Sequence, residues 1–85
     1  MKQITYTREA IQALSKMPAN TSRLIRSKLN QYAEDPASLG NNVIVMAGTM
    51  KVFRRMRIGD WRIIFKETGE VIAVEKIASR GGVYD

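Results

Sequence analysis

The hydrophobic period changes once along this chain, near residue 43, and that change limits the fold more than any single motif. Before it, apolar residues recur every three to four positions. Ala10, Ile11, Leu14 and Met17 form one stripe; Leu24, Ile25, Leu29, Tyr32 and Ala33 form another. This spacing predicts amphipathic helices over 8–16 and 21–34. Thr7 is a suitable N-cap for the first, with Glu9 in its opening turn, and Pro18 stops it. Asn20, Thr21 and Ser22 offer a cap for the second. The stretch DPASLGNN, 35–42, reads as a loop. From residue 43 the period becomes two. Strands are predicted at 43–47, 51–58, 61–66 and 71–78, separated by short turns at GT, GD and ETGE. Residues 2–6 alternate in the same way and predict a short first strand.

Connections this short dictate the arrangement. Helices joined by a few residues lie antiparallel, and strands joined by tight turns are antiparallel neighbours. The predicted class is α+β: an N-terminal β-strand, then an antiparallel helical hairpin packed on a C-terminal antiparallel β-meander, in the order β-α-α-β-β-β. The 85 residues suffice for one domain over 1–85 with one modest core.

Composition removes several chemistries. The chain has no cysteine and no histidine. Disulfides, thiolate metal sites and thiol catalysis are therefore excluded, and so is the side chain that titrates near neutrality unaided. No cofactor or metal is expected. No apolar run approaches the roughly 18 residues of a membrane helix, so no membrane partner is expected. The opening MKQITYTREA lacks an apolar signal core, and the chain is expected to be mature and cytoplasmic. The net charge is +6, which favours an anionic partner.

That charge is concentrated. Arg54 to Phe65, RRMRIGDWRIIF, holds four arginines in twelve positions. Alternation assigns Trp61, Ile63 and Phe65 to the face under the helices, and Arg62, Ile64 and Lys66 to the other. On the preceding strand Val52, Met56 and Ile58 are the core set, with Arg54 an awkward companion at an edge or snorkelling. Lys51, Phe53, Arg55 and Arg57 fall on the helix-free side. Five cations then share one face: Lys51, Arg55, Arg57, Arg62 and Lys66. Such a run is either a solvated face that discourages edge pairing or a seat for a shared anion. The preference for arginine suits phosphate, since its planar fork donates two hydrogen bonds at once. Phe53 is an apolar outlier or a base-stacking platform. At the end, ASRGGVYD places Arg80 and Tyr84 around two glycines. It is a frayed tail or a segment that folds back beside the arginines.

These features resemble the RelE/ParE superfamily of bacterial toxins from type II toxin–antitoxin pairs. The likeness rests on the element order, on FRRMRIGDWRIIF, similar to the family's Tyr-Arg-Leu-Arg-Val-Gly-Asp-Tyr-Arg strand pair, and on IASRGGVY, similar to its closing Gly-His-Arg-x-x-x-Tyr. It covers nearly the whole chain. The RelE branch cuts messenger RNA in the ribosomal decoding site; the ParE branch poisons DNA gyrase. The resemblance implies catalytic positions at Arg55, Arg57, Arg62, Arg80 and Tyr84, with Lys51, Phe53 and Lys66 as further RNA contacts. It implies a ribosome-dependent mRNA endonuclease that inhibits translation. Its partners would be the ribosome, mRNA and a cognate antitoxin that covers the basic face. The alternatives are a gyrase poison or a non-enzymatic basic module that binds nucleic acid or protein.

Arginine stands where the best-known RelE enzyme has lysine, and Ser79 stands where a histidine is common. Arginine does not deprotonate in proteins, so it serves poorly as a general base. Tyr84, or Lys51 or Lys66 with a pKa lowered by neighbouring cations, is left to move protons. The expectation is that Tyr84 is the principal proton carrier and that naked RNA is a poor substrate.

Overall fold

The computed structural model describes residues 1–79. Its elements are β1 (Gln3–Tyr6), α1 (Arg8–Lys16), α2 (Ala19–Glu34), β2 (Val43–Val45), β3 (Arg54–Ile58), β4 (Trp61–Glu67) and β5 (Val71–Ser79). Short 3-10 segments lie at Pro36–Asn42 and Gly48–Met50. The α+β class and element order follow the periodicities.

Local chemistry explains the helix ends. Thr7 Oγ1 accepts from the Ala10 N–H at 3.1 Å and itself donates to the Glu75 carbonyl at 2.8 Å. One hydroxyl thus caps α1 and ties it to β5. Helix α2 begins earlier than the Asn20–Ser22 caps implied. Pro18 takes the N-cap position without a capping side chain, and its carbonyl accepts from Ser22 N–H at 3.0 Å. Proline lacks an N–H that a helix start would leave unpaired anyway, so it suits the position. The predicted loop at 35–42 is instead mostly 3-10 helix, broken at Leu39, which is buried.

The five strands form one sheet in the order β1-β5-β4-β3-β2. The meander is antiparallel, while β1 runs parallel to β5 with Ile4 opposite Ile72 and Tyr6 opposite Val74. Both helices and strands β2 to β4 lie between β1 and β5 in the chain, far more than the dozen residues that a parallel connection needs. The apolar faces of α1, α2 and the sheet enclose a core that includes Ile25, Leu29, Met56, Ile63, Phe65, Ile72 and Val74. Tyr32 meets Phe65 edge-on, with ring centroids 5.4 Å apart.

Four expectations need correction. The strand predicted at 51–58 starts only at Arg54, and the one at 43–47 stops at Val45. Between them the chain turns at Gly48, whose φ is +65°, and closes with Met46 N–H donating to Phe53 carbonyl at 3.0 Å. Alternation at Val52 mimicked a strand, but Val52 is 60% exposed and contributes nothing to the core. Lys51 and Phe53 therefore sit on this connection rather than on β3. Ile11 and Leu24, assigned to the buried stripes, are about half exposed.

Candidate nucleic-acid interface

The β3–β4 hairpin sets the geometry of the arginines. Gly59 has φ +57°, whereas no non-glycine residue among those described has positive φ. A lone positive φ at the first central position fits a two-residue type II′ turn. This turn fixes the register: Ile58 opposite Trp61, Arg57 opposite Arg62, Arg55 opposite Ile64. Directly opposed residues have Cβ atoms about 5 Å apart, so Arg57 and Arg62 are neighbours on the face away from the helices. Arg55 lies two residues along from Arg57 on that same face.

The face is less uniform than a solvated patch. Arg57 is exposed and Arg55 partly buried, but Arg62 retains only 7% of its exposure. Arg55 and Arg62 each engage other groups of the protein. Ile64, on the same side by alternation, is also buried, at 5%. Lys66 is exposed, and its ammonium lies 5.1 Å from the centroid of the Phe53 ring. Phe53 therefore presents a ring already engaged by a cation. Lys51 is exposed on the connection before β3. The structure brings Arg55, Arg57 and Arg62 together, and Lys66 to Phe53. Arg80 and Tyr84 lie outside the described residues.

One polar cluster escaped the sequence. Glu67, at the end of β4, accepts from Lys2 Nζ at 2.6 Å and from the Tyr32 hydroxyl at 2.7 Å. Arg54 Nη1 lies 3.3 Å from its Oε1. This resolves the awkward Arg54: it points to the helix side and reaches a carboxylate. Burial pushes the Glu67 pKa up, but the hydrogen bonds from Lys2 and Tyr32 and the charges of Lys2 and Arg54 outweigh it, and the net shift is downward. Burial and the bond to Glu67 raise the Tyr32 pKa. Burial likewise raises that of Tyr6, opposed by the Arg26 guanidinium 5.0 Å from its ring. The three partners of Glu67 lie just before β1, on α2 and on β3, so only a knowledge of topology could have grouped them.

Among the described residues no cluster of three His, Cys, Asp or Glu is placed to hold a metal. No described helix is long and apolar enough to cross a membrane.

No protein-family model matches the chain, and no curated protein matches it in sequence. Solved structures do match. A RelBE toxin–antitoxin complex from Mycobacterium tuberculosis superposes with TM-score 0.79 at 12% identity, covering 93% of this chain and 98% of that one. An archaeal RelE–RelB complex from Pyrococcus horikoshii gives 0.77 at 23% identity, covering 96% and 98%. A YoeB/ParE toxin from Agrobacterium tumefaciens gives 0.74 at 15% identity, covering 92% and 98%. At these identities the likeness is one of architecture, and over nearly its full length this chain has the fold of the RelE/ParE toxins.

Proposed function

We propose that this chain is the toxin of a type II toxin–antitoxin pair. It acts as a ribosome-dependent mRNA endonuclease that arrests translation until an antitoxin covers it. The observation that carries the proposal is the register of the hairpin, with Arg57 opposite Arg62 and Arg55 on the same face. The fold supports it, being shared with structures described as toxin–antitoxin complexes.

In the proposed reaction a 2′-hydroxyl loses its proton and its oxygen attacks the adjacent phosphorus. The bond from phosphorus to the 5′ oxygen breaks, and that oxygen takes up a proton. The products are a 2′,3′-cyclic phosphate and a 5′-hydroxyl. Arg55, Arg57, Arg62 and Arg80 donate to the phosphate oxygens as charge develops on them. Tyr84 carries the proton. Lys51, Phe53 and Lys66 hold the flanking RNA, Lys66 acting from its place over the Phe53 ring. With no histidine available, the ribosome supplies much of the alignment.

The test is to map transcript 5′ ends after brief induction. New ends within translated codons, bearing 5′-hydroxyls, are expected; intact message with arrested growth refutes the nuclease. One observation favours a second reading, a gyrase poison. Arginine occupies both cationic strand positions and carries charge without offering a base. Filamentation with DNA breaks and uncut message would select it.

A further inference from the structure

Strand β5 does not keep a simple alternation. Ile72, Val74 and Ile77 are all buried in the core, yet the last two stand three positions apart. An unbroken alternation would carry Lys76 under the helices and turn Ile77 outward. The register shows why it does not. Ile64 pairs with Lys76 but Phe65 pairs with Val74, so Glu75 is an extra residue with no opposite number on β4, a β-bulge. The bulge is tied down from outside the β4–β5 ladder, where the Glu75 carbonyl accepts from Thr7 Oγ1 at 2.8 Å.

A bulge re-aims side chains, and this one turns Lys76 to the arginine face. Directly opposed residues share a face. One row therefore crosses the sheet as Ile44, Arg55, Ile64 and Lys76, and the next as Arg57, Arg62 and Ala78. Two strand spacings, about 10 Å, separate the Lys76 backbone from that of Arg55, and the residue between them, Ile64, is buried. Ala73 lies opposite Lys66 and Ala78 opposite Arg62. Both are small, so on this face the part of β5 paired with β4 is a low shelf from which Lys76 projects as the long side chain. None of the residues paired on this face is an acid.

The Lys76 side chain is 40% exposed, and its ammonium lies 4.0 Å from a Glu9 carboxylate oxygen, on a side chain 64% exposed. It engages a further group besides. An ion pair so long and so exposed holds the ammonium near the sheet edge at little gain, and a phosphate can take it over. We propose that Lys76 is a further RNA contact of the arginine face. It binds the phosphate of a nucleotide beside the one held by Arg55, Arg57 and Arg62, so the RNA strand runs across the sheet from β3 toward β5. The inference rests on the nuclease reading and adds to it the path of the substrate.

The experiment uses the full chain and fluorescein-labelled 2′-O-methyl hexauridylate, an RNA without the free 2′-hydroxyl that cleavage needs. Anisotropy gives the affinity across a series of salt concentrations. Lys76→Gln is expected to bind at least fivefold more weakly at low salt. It should lower the slope of log affinity against log salt by about 0.7, the value for one phosphate contact on a single strand. Lys76→Arg should restore both. Lys16→Gln removes an exposed lysine from the last turn of α1 and should change affinity less than twofold. On ribosomes Lys76→Gln should raise the protein concentration for half-maximal cutting and leave the rate at saturation nearly unchanged, the mark of lost binding rather than lost chemistry. Thermal melts check that each variant is folded. The proposal is overturned if the wild-type chain does not bind the probe, if Lys76→Gln matches wild type, if Lys16→Gln loses as much, or if Lys76→Arg restores nothing. The two claims fail separately. Probe binding that depends on Lys76 in a chain that cuts no message removes the nuclease alone. Message cutting with unchanged probe binding in Lys76→Gln removes the contact alone.

Discussion

Arg57 and Glu67 show how differently two charged residues can be used in one small sheet. Arg57 is exposed opposite another arginine, and like charges placed directly opposite one another cost stability. Arg57→Ala is therefore expected to leave the fold intact or slightly more stable while lowering cleavage about 10²–10³-fold, measured as the rate of message cutting on ribosomes. Tyr84→Phe should abolish cleavage without loss of ribosome binding, if that hydroxyl moves the proton. Glu67 does the opposite work. Its folded pKa lies below the ordinary carboxylate range, so its contribution to stability is complete above the unfolded value of about 4.3. That contribution is lost as pH falls through the folded value. Wild-type Tm should drop more steeply than that of Glu67→Gln between about pH 5 and pH 3. At neutral pH the variant should be less stable by about 1.5–3 kcal/mol, the scale of hydrogen bonds to a charged group. Thermal melts across that range check both.

At the scale of elements, the turn and the cap are the points where a small change has a defined cost. At Gly59 an added Cβ meets nothing within 4 Å, so the penalty of Gly59→Ala is backbone strain alone. Such a backbone position costs a non-glycine residue about 1–3 kcal/mol, and Gly59→Asn should cost about as much, since the first position of a type II′ turn lies outside the left-handed helical region that asparagine tolerates. Urea midpoints compare the two. Thr7→Ala should cost about 1 kcal/mol for the lost cap, with the bond to Glu75 lost besides. The elements also show what was legible. The helices and the β3–β4 hairpin could be read because their determinants are local: period, cap and turn glycine. The connection from Met46 to Phe53 could not, because Val52 keeps the strand alternation while Gly48 breaks the backbone. Nor could Leu24, whose helical spacing says apolar face but whose neighbours leave it half uncovered.

For the whole molecule, the core is small and each large member matters. Phe65 is fully buried between Tyr32 and the sheet, and Phe65→Ala should cost about 3–5 kcal/mol. A domain of this kind has only about 5–15 kcal/mol in total. The variant should thus melt far below wild type, and calorimetry measures the loss. The chain carries a net charge of +6. Binding of polyanions should weaken steeply with salt, and Lys66→Ala should reduce the slope of log affinity against log salt by about one while leaving sequence preference unchanged.

The sequence by itself determined the class of fold, the order of elements and the pairing of the hairpin that aligns Arg57 with Arg62. These depend on neighbours within a few positions, where spacing and backbone preference act directly. Tertiary structure alone decided that β1 pairs with β5, that Arg54 and Lys2 meet at Glu67, that Arg62 is buried while Arg57 is not, and that a bulge in β5 turns Lys76 to the arginine face. Each of these depends on how surfaces distant in the chain cover one another, and coverage is a property of packing that no local pattern encodes.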